Sequence, residues 1–377
     1  MRISQSVAAA GMAGMATATS RFAMYYDQWH LSMPQKGNLV GITHAITAFA
    51  DPLLFTTSPP GPFTPFVDPN TLRASFDAGT KMCLAVGGWG FTAGYSAAQG
   101  TNESRALFAK NIADTLVAHG YDCVDVDWEY PGGNGEDYKT NPNPGKVGEI
   151  DTYPLLLQAI KSAIGSKELS IAVPGLERDF RIAYTAEKVP LINSAVDVVN
   201  VMTYDLMNRR DNTTRHHSSV QGSLDVVEKY IALGMDPGKM NLGIALYAKY
   251  FATVEPCTQP IGCKTAVLED ANGRDTGLSG AQTFRQGIPA TVLANGTTDE
   301  TEGGQWYWDP TTSNFWTWDT PALISQKLEK IVKAKKLGGV MGWSLGEDGA
   351  DNAYIKAMRD GMGVSSTNVD DASPCED

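Results

Sequence analysis

The chain has 377 residues, 42% hydrophobic and 19% charged, with a net charge of −12. That is a globular composition, long enough for one large α/β barrel or two smaller domains. The acidic balance, with no Lys/Arg cluster, argues against a nucleic-acid binder. No stretch beyond the first twenty residues is long and apolar enough to span a membrane.

Residues 1–20 open with one Arg, an Ala/Gly-rich run and then Ala16-Thr17-Ala18, which predicts a secretion-signal-like or flexible segment. Phe22–Asp27, His44–Ala50 and Lys81–Gly88 read as the first three strands, the third ending in a Gly pair and Trp89. Ser104 starts a helical stretch with apolar residues at helical spacing, and Gly120 stops it.

The next stretch, Tyr121–Gly132, packs Asp122, Asp125, Asp127 and Glu129 among Cys123, Val124, Val126 and Trp128. The fillers favour a strand over a helix. In a strand, Asp125, Asp127 and Glu129 share one face and Val124, Val126 and Trp128 the other. Neighbouring acids on that face stand roughly 7 Å apart. Their mutual repulsion predicts that at least one holds a proton near neutral pH. A solvated edge strand would not back its acids with Val-Val-Trp. A metal site has suitable ligands, but no His or second acid cluster lies nearby in the sequence. Acid/base catalysis, with one carboxyl kept protonated as a donor, fits best.

Asp151–Ile164 reads as a helix with Pro154 in its first turn. Leu169–Pro174 and Val196–Tyr204 read as strands five and six. Ser223 is the expected cap of the following helix, which Gly234 ends. Met240–Tyr247 is strand seven, Thr320-Pro321 opens a helix through Lys336, Gly338–Leu345 is strand eight, and Asn352–Arg359 is the last helix. Eight apolar strands alternating with helices predict a (β/α)₈ TIM barrel over 21–250 and 320–363. Tyr247 to Gly338 spans roughly 90 residues, against ~30 for one barrel unit. Residues 251–319, rich in Trp, Tyr and Phe, therefore read as a small α+β insertion. The polar tail, 364–377, reads as disordered.

Cys257 and Cys263 sit close together in a Thr/Pro/Gly-rich segment and predict a short bridged loop. Cys83 and Cys123 lie within apolar strands and read as buried thiols. Cys375 is left over. Sequons at Asn102, Asn212 and Asn295 permit glycosylation of a secreted chain.

The spacing Asp122-x-x-Asp125-x-Asp127-x-Glu129, followed by Tyr130-Pro131-Gly132, resembles the D-x-x-D-x-D-x-E signature of glycoside hydrolase family 18, the chitinases. The likeness extends to other strand ends: Met202-Thr203-Tyr204-Asp205, Trp343, Tyr25, Gly88-Trp89 and Tyr247. It implies a secreted, monomeric, endo-acting chitinase that cuts chitin and chitooligosaccharides with the help of the substrate's own acetamide. It implies no metal or organic cofactor, and an insertion that walls the groove. Carried over by position, Glu129 resembles the acid, Asp127 the residue that orients the acetamide, Asp125 its proton-sharing partner and Tyr204 the donor to the acetamide carbonyl. Asp205, Trp343, Trp89, Tyr130, Tyr247, Met202, Tyr25 and Gly88 are the expected substrate-binding set, and Asp122 is structural. An endo-β-N-acetylglucosaminidase on N-glycans and an inactive chitin-binding lectin are the alternatives.

Two positions depart from the family pattern. Ala85 stands where the third strand usually carries Ser, so the donor to Asp125 is expected from Tyr25 or a water. Lys249 stands where many members have Arg.

Overall fold

Parallel strands β1 (Arg21–Asp27), β2 (His44–Ala50), β3 (Lys81–Gly87), β4 (Cys123–Asp127), β5 (Glu168–Pro174), β6 (Val198–Met202) and β7 (Met240–Ala245) are built from the predicted apolar runs. The chain then makes a second sheet from β8 (Tyr247–Ala252), β9 (Ser279–Thr283), β10 (Thr297–Asp299), β11 (Gly304–Asp309) and β12 (Asn314–Trp318). It returns as β13 (Gly339–Trp343), which closes the barrel in the order β1-β13-β7-β6-β5-β4-β3-β2. These elements come from a computed structural model that describes residues 20–140 and 145–364. Apart from Ser20 and Val364, the expected N-terminal segment and tail lie outside the described residues, as does Cys375.

The alternation read from β4 decides which side chains go where. Val124, Val126 and Trp128 face outward and are buried under the helical layer, where Trp128 stacks on Tyr95 at 5.1 Å. A fully buried Val contributes about 1.5–3 kcal/mol. The inner face packs small residues, Ala23, Ala48, Ala85 and Ala245, around Tyr25 and Met341. The small residues leave room for polar side chains at the barrel centre. The Gly87 turn permits close approach: its φ is +111°, and an added Cβ would collide with the carbonyl oxygen of Asp127.

Helix starts differ from the expected ones for local reasons. The helix Asn102–His119 begins before Ser104, because Thr101 is its cap and Ser104 completes the capping box. The helix Gly148–Ile164 begins before Asp151, with Pro154 inside it. Ser219, not Ser223, caps Val220–Ala232: its hydroxyl accepts from the Gly222 N–H at 3.0 Å. Ser223 is buried one turn on and donates to the Ser219 carbonyl at 2.7 Å. The helix opened by Thr320 runs as an α-helix to Lys327 and widens into a π segment over Leu328–Lys333, short of Lys336.

The second sheet is antiparallel, in the order β10-β11-β12-β8-β9. Phe251, Phe315, Trp316 and Trp318 are buried in it, and the Trp308 indole donates to Thr253 at 3.0 Å. β8 starts two residues after β7 ends, which fixes the second sheet to the barrel rim.

Cys83 and Cys123 are not free thiols. They are register partners on β3 and β4, with Cα atoms 4.4 Å apart, and they form a disulfide. The forty-residue separation hid the contact; adjacent parallel strands bring their inward side chains together. Cys257 and Cys263 are also paired. Peptide mapping of unreduced protein should recover both linked pairs. Replacing Cys83 and Cys123 by Ala should lower the urea-unfolding free energy by about 2–4 kcal/mol. Free thiols at both positions after oxidative folding would contradict the pairing.

Candidate active site

The acids of β4 form a row rising from the barrel centre to its carboxyl-terminal mouth. Asp125 is fully buried. It accepts from the Tyr25 hydroxyl at 2.7 Å, the Ser170 hydroxyl at 2.5 Å and the Asn200 amide at 3.1 Å. The donor missing at Ala85 is therefore supplied from the other neighbouring strand. Ala85 and Ser170 flank Asp125 in register on β3 and β5. Tyr25 does contribute, as expected, but it does not act alone. Burial pushes the Asp125 carboxyl up, and its three donors oppose that shift.

Asp127 comes next, nearly buried at the floor of a groove of about 380 Å³. Its Oδ1 is buried and, among the described residues, meets no hydrogen-bond partner. Burial, then the charges of Glu129 and Asp125, raise its pKa well above the usual carboxylate range. Glu129 stands just past the end of β4 and lines the groove. Burial, with the charges of Asp205 and Asp179, pushes Glu129 up to about 7 against the Tyr130 hydroxyl and the Trp89 N–H. All three acids of the row are thus raised, by burial first; repulsion along the row, from which the spacing argued, adds to the shift at Asp127.

Tyr25, Trp89, Tyr130, Met202, Tyr204, Asp205, Tyr247 and Trp343 all line the same groove as Asp127 and Glu129. Trp343 packs on Tyr25 at 5.3 Å and stacks on Phe49 at 5.5 Å, forming the floor. Trp89 is 40% exposed, so its ring is available to a ligand. Gly88 is not in the lining. Its N–H donates to the Asp127 carbonyl at 2.8 Å, so it supports the floor from behind. Asp122 also lies off the groove, bound to Arg73 at 2.8 Å and to the Met82 N–H at 2.9 Å.

Asp205 adopts a left-handed φ of 53°. It accepts from the Tyr247 hydroxyl at 2.7 Å and pairs with Lys249 Nζ at 2.9 Å. Partial burial would raise its pKa, but Lys249 and His217 more than offset this, so Asp205 stays ionised. Lys249 thus serves Asp205 as a point charge, with no bidentate contact. The second sheet supplies Tyr247, Lys249, Ser279 and Gly280 to the groove and forms one wall of it.

Several residues of the site were not anticipated. Ser170 and Asn200 carried a readable signal: each is a lone polar residue on the inner face of an apolar strand. Trp29 sits on the loop after β1, and Phe49 is on β2. Arg209 and Arg210 approach the Trp89 ring at 5.7 and 5.8 Å, on a loop with no sequence pattern to mark it. Among the described residues, no group of three His, Cys, Asp or Glu side chains is arranged to hold a metal ion.

A closed barrel with a row of buried acids of raised pKa at its carboxyl end, walled by aromatic rings, defines a barrel glycosidase. The chain belongs to glycosyl hydrolases family 18, whose family model matches residues 21–348. It is similar to Chitinase 1 of Aphanocladium album, 28% identical over 311 residues, covering 75% of this chain and 66% of that one. It is also similar to Endochitinase 1 of Metarhizium robertsii, 26% identical over 289 residues, covering 71% and 62%. The chain thus spans slightly under two thirds of these relatives' length. A chitinase from Rhizomucor miehei shares the fold, with a TM-score of 0.72 at 22% identity over 90% of this chain and 99% of that one.

Ser170→Ala removes one of the three donors that favour the charged form of Asp125. A hydrogen bond to a charged group is worth about 1.5–3 kcal/mol, so the Asp125 pKa should rise further. Loss of a donor favours the protonated form, so the acid limb of the kcat/KM profile should move to higher pH. Ala85→Ser should shift it little, since Asp125 already has three donors. A larger shift in Ala85→Ser than in Ser170→Ala would contradict this assignment.

Proposed function

We propose that this protein is a secreted, endo-acting chitinase that hydrolyses β-1,4 links between N-acetylglucosamine units with retention, the substrate's own acetamide acting as nucleophile. The observation that carries this reading is Asp127. It lies between a fully buried acid and a half-buried one, holds a raised pKa, lines the groove, and keeps a buried oxygen, Oδ1, that meets no partner among the described residues. Such an oxygen suits an amide N–H. It is poorly suited to attack a sugar carbon, because its own charge is suppressed.

In this reading Tyr204 donates to the acetamide carbonyl end and Asp127 accepts from its N–H, with one proton shared between Asp127 and Asp125. The acetamide oxygen attacks the anomeric carbon while the glycosidic C–O bond breaks and the leaving oxygen takes the Glu129 proton. Asp127 stabilises the positive charge that develops on the amide nitrogen. Holding the nucleophile within the substrate removes much of the entropic cost of the step. Water then opens the ring from the same face as the departed sugar, giving its proton to Glu129 and restoring the acid. Family 18 is an established exception to the two-carboxylate rule for retaining enzymes. Trp343 floors the sugar at the cleaved bond, and Trp89, Tyr130, Tyr247, Asp205, Met202 and Tyr25 contact rings on either side.

The names of the similar proteins, Chitinase 1 and Endochitinase 1, support the substrate and the endo mode. A family chitinase from Cycas revoluta has been solved with (GlcNAc)4. The two disulfides fit an oxidising, extracytoplasmic setting. No helix among the described residues is long and apolar enough to cross a membrane.

Glu129→Gln should lower kcat by ~10²–10⁴ and leave oligomer binding intact. Because the acid must be protonated and Glu129 sits at about 7, wild-type kcat/KM should fall on the alkaline side of neutrality. Time-resolved NMR should find the β-anomer first, and fully deacetylated chitosan should not be cut. An α-anomer as first product, or brisk cleavage of that chitosan, would overturn substrate assistance.

A further inference from the structure

The loop after β1 carries Trp29, 58% exposed on the rim of the groove. Its ring lies 6.2 Å from Phe49, which stacks on Trp343, so three rings run from the floor to the rim. A ring so exposed gains little from the core. What fixes its backbone therefore decides where it stands.

The fixing groups are Asp27, which holds the Trp29 N–H, and the next residue, His30, which orients Asp27. The N–H groups of Trp29 and His30 donate to Asp27 Oδ1 at 2.8 and 3.0 Å. His30 Nδ1 lies 3.0 and 3.1 Å from the two Asp27 oxygens. On the other side of the ring, Nε2 is 3.8 Å from Glu347 Oε1. Asp27 is fully buried and Glu347 nearly so. Both are tied to the segment that holds the groove floor. Ser344, which follows Trp343, donates its hydroxyl to Asp27 and its N–H to Glu347, the latter at 2.9 Å. Gly346 lies against the loop so closely that an added Cβ would collide with the His30 carbonyl oxygen.

We propose that His30 is a positioning residue for long substrates: by bridging Asp27 and Glu347 it holds Trp29 in line with Phe49 and Trp343, and so sets affinity for sugar units beyond the one on the floor. This rests on the chitin reading above. None of the three bridging groups belongs to the acid row, so the chemical step is not expected to depend on them.

The bridge has a protonation sense. A hydrogen bond to Asp27, opposed by burial and aided by the charge of Glu347, raises the His30 pKa. Burial pushes Glu347 up to about 7. For a histidine raised in the folded state, the stabilisation is present in acid and lost as pH climbs through the folded pKa. Neutral His30 can still donate Nδ1–H to Asp27. In acid, Nε2–H faces the neutral Glu347 carboxyl; once both groups have lost their protons, the Nε2 lone pair faces a carboxylate and that half of the bridge fails. The groups facing this cluster are Asp27 and Tyr26 from β1, and Ser344 and Glu347 after β13. From the second-sheet side come Tyr247, which feels the charge of Glu347, and Arg285, whose N–H donates to the Glu347 carbonyl at 3.1 Å.

The test is the ratio of KM for an N-acetylglucosamine hexamer to that for a trimer, from about pH 5 to about pH 9. In wild type the ratio should rise toward alkaline pH. His30→Ala should raise hexamer KM in acid by roughly three- to tenfold, the worth of one aromatic contact. Its kcat and trimer KM should stay within about twofold, and its ratio should no longer vary with pH. His30→Asn keeps a donor toward Asp27 but does not titrate. It should recover part of the hexamer affinity with a flat ratio, and it carries the test if the alanine variant folds poorly. In a Trp29→Ala background, His30→Ala should add no further loss. Equal changes for trimer and hexamer, or a flat wild-type ratio, would overturn the proposal. Wild-type turnover of the trimer establishes the chitin reading by itself, so a flat ratio counts against His30 alone.

Discussion

A row of carboxyls buried inside a barrel is the constraint to which the rest of the structure answers. An unpaired buried charge is costly, and a barrel interior filled with Val, Ile and Leu could not hold Asp125. This barrel instead places alanines around the row and brings polar groups to its lower end. A chain of hydrogen bonds runs from Arg21 to Asn241 at 3.0 Å, from Asn241 to Asn200 at 2.9 Å, and from Asn200 to Asp125 at 3.1 Å. Tyr25 and Ser170 complete the shell of Asp125. Asp127 has no such shell. The asymmetry makes Asp125 the satisfied member and leaves Asp127, which lines the groove, with one unpartnered oxygen among the described residues. Low dielectric strengthens both halves of that arrangement.

The second sheet acts on the same electrostatics from outside the barrel. Because β8 follows β7 almost directly, Tyr247 and Lys249 reach Asp205 at the end of β6. That keeps Asp205 charged in the same groove where Glu129 is held near neutrality. Of the sheet's aromatic rings, Tyr247 and Phe251 on β8 line the groove, whereas those of β11 and β12 pack the sheet itself. The insertion therefore contributes through a few residues on β8 and β9, with its Trp-rich strands β11 and β12 as the support behind them.

Much of this was legible because β4 carries its own pattern. Period-two alternation separates acids from Val-Val-Trp, and the eight apolar runs announce the barrel. What could not be read were contacts that depend on which strands become neighbours. Cys83 and Cys123 looked like two separate core thiols until register placed them side by side. Ser170 compensates Ala85 only because Asp125 lies between β3 and β5. Ser219 rather than Ser223 caps its helix because the first turn starts four residues earlier than the apolar spacing indicated. Trp29 and His30 lie in a loop without periodicity, and Glu347, their anchor, is more than three hundred residues away.

Two acids in the groove, Glu129 at the end of the β4 row and Asp205 beyond β6, are tuned in opposite directions. Glu129 and Asp205 both line it, and the charge of Asp205 raises Glu129. Lys249 and His217 pull Asp205 down, whereas Glu129 has only a tyrosine hydroxyl and one backbone N–H against its burial and the nearby charges of Asp205 and Asp179. An ionised Asp205 thus helps keep the proton on Glu129, and Lys249 indirectly supports that by keeping Asp205 ionised. Arginine at position 249 would also carry a charge, but its broader fork would demand a different approach to Asp205. Lysine, as a compact point charge, sustains the effect without fixing the geometry of the carboxylate, which leaves Asp205 free to accept from Tyr247.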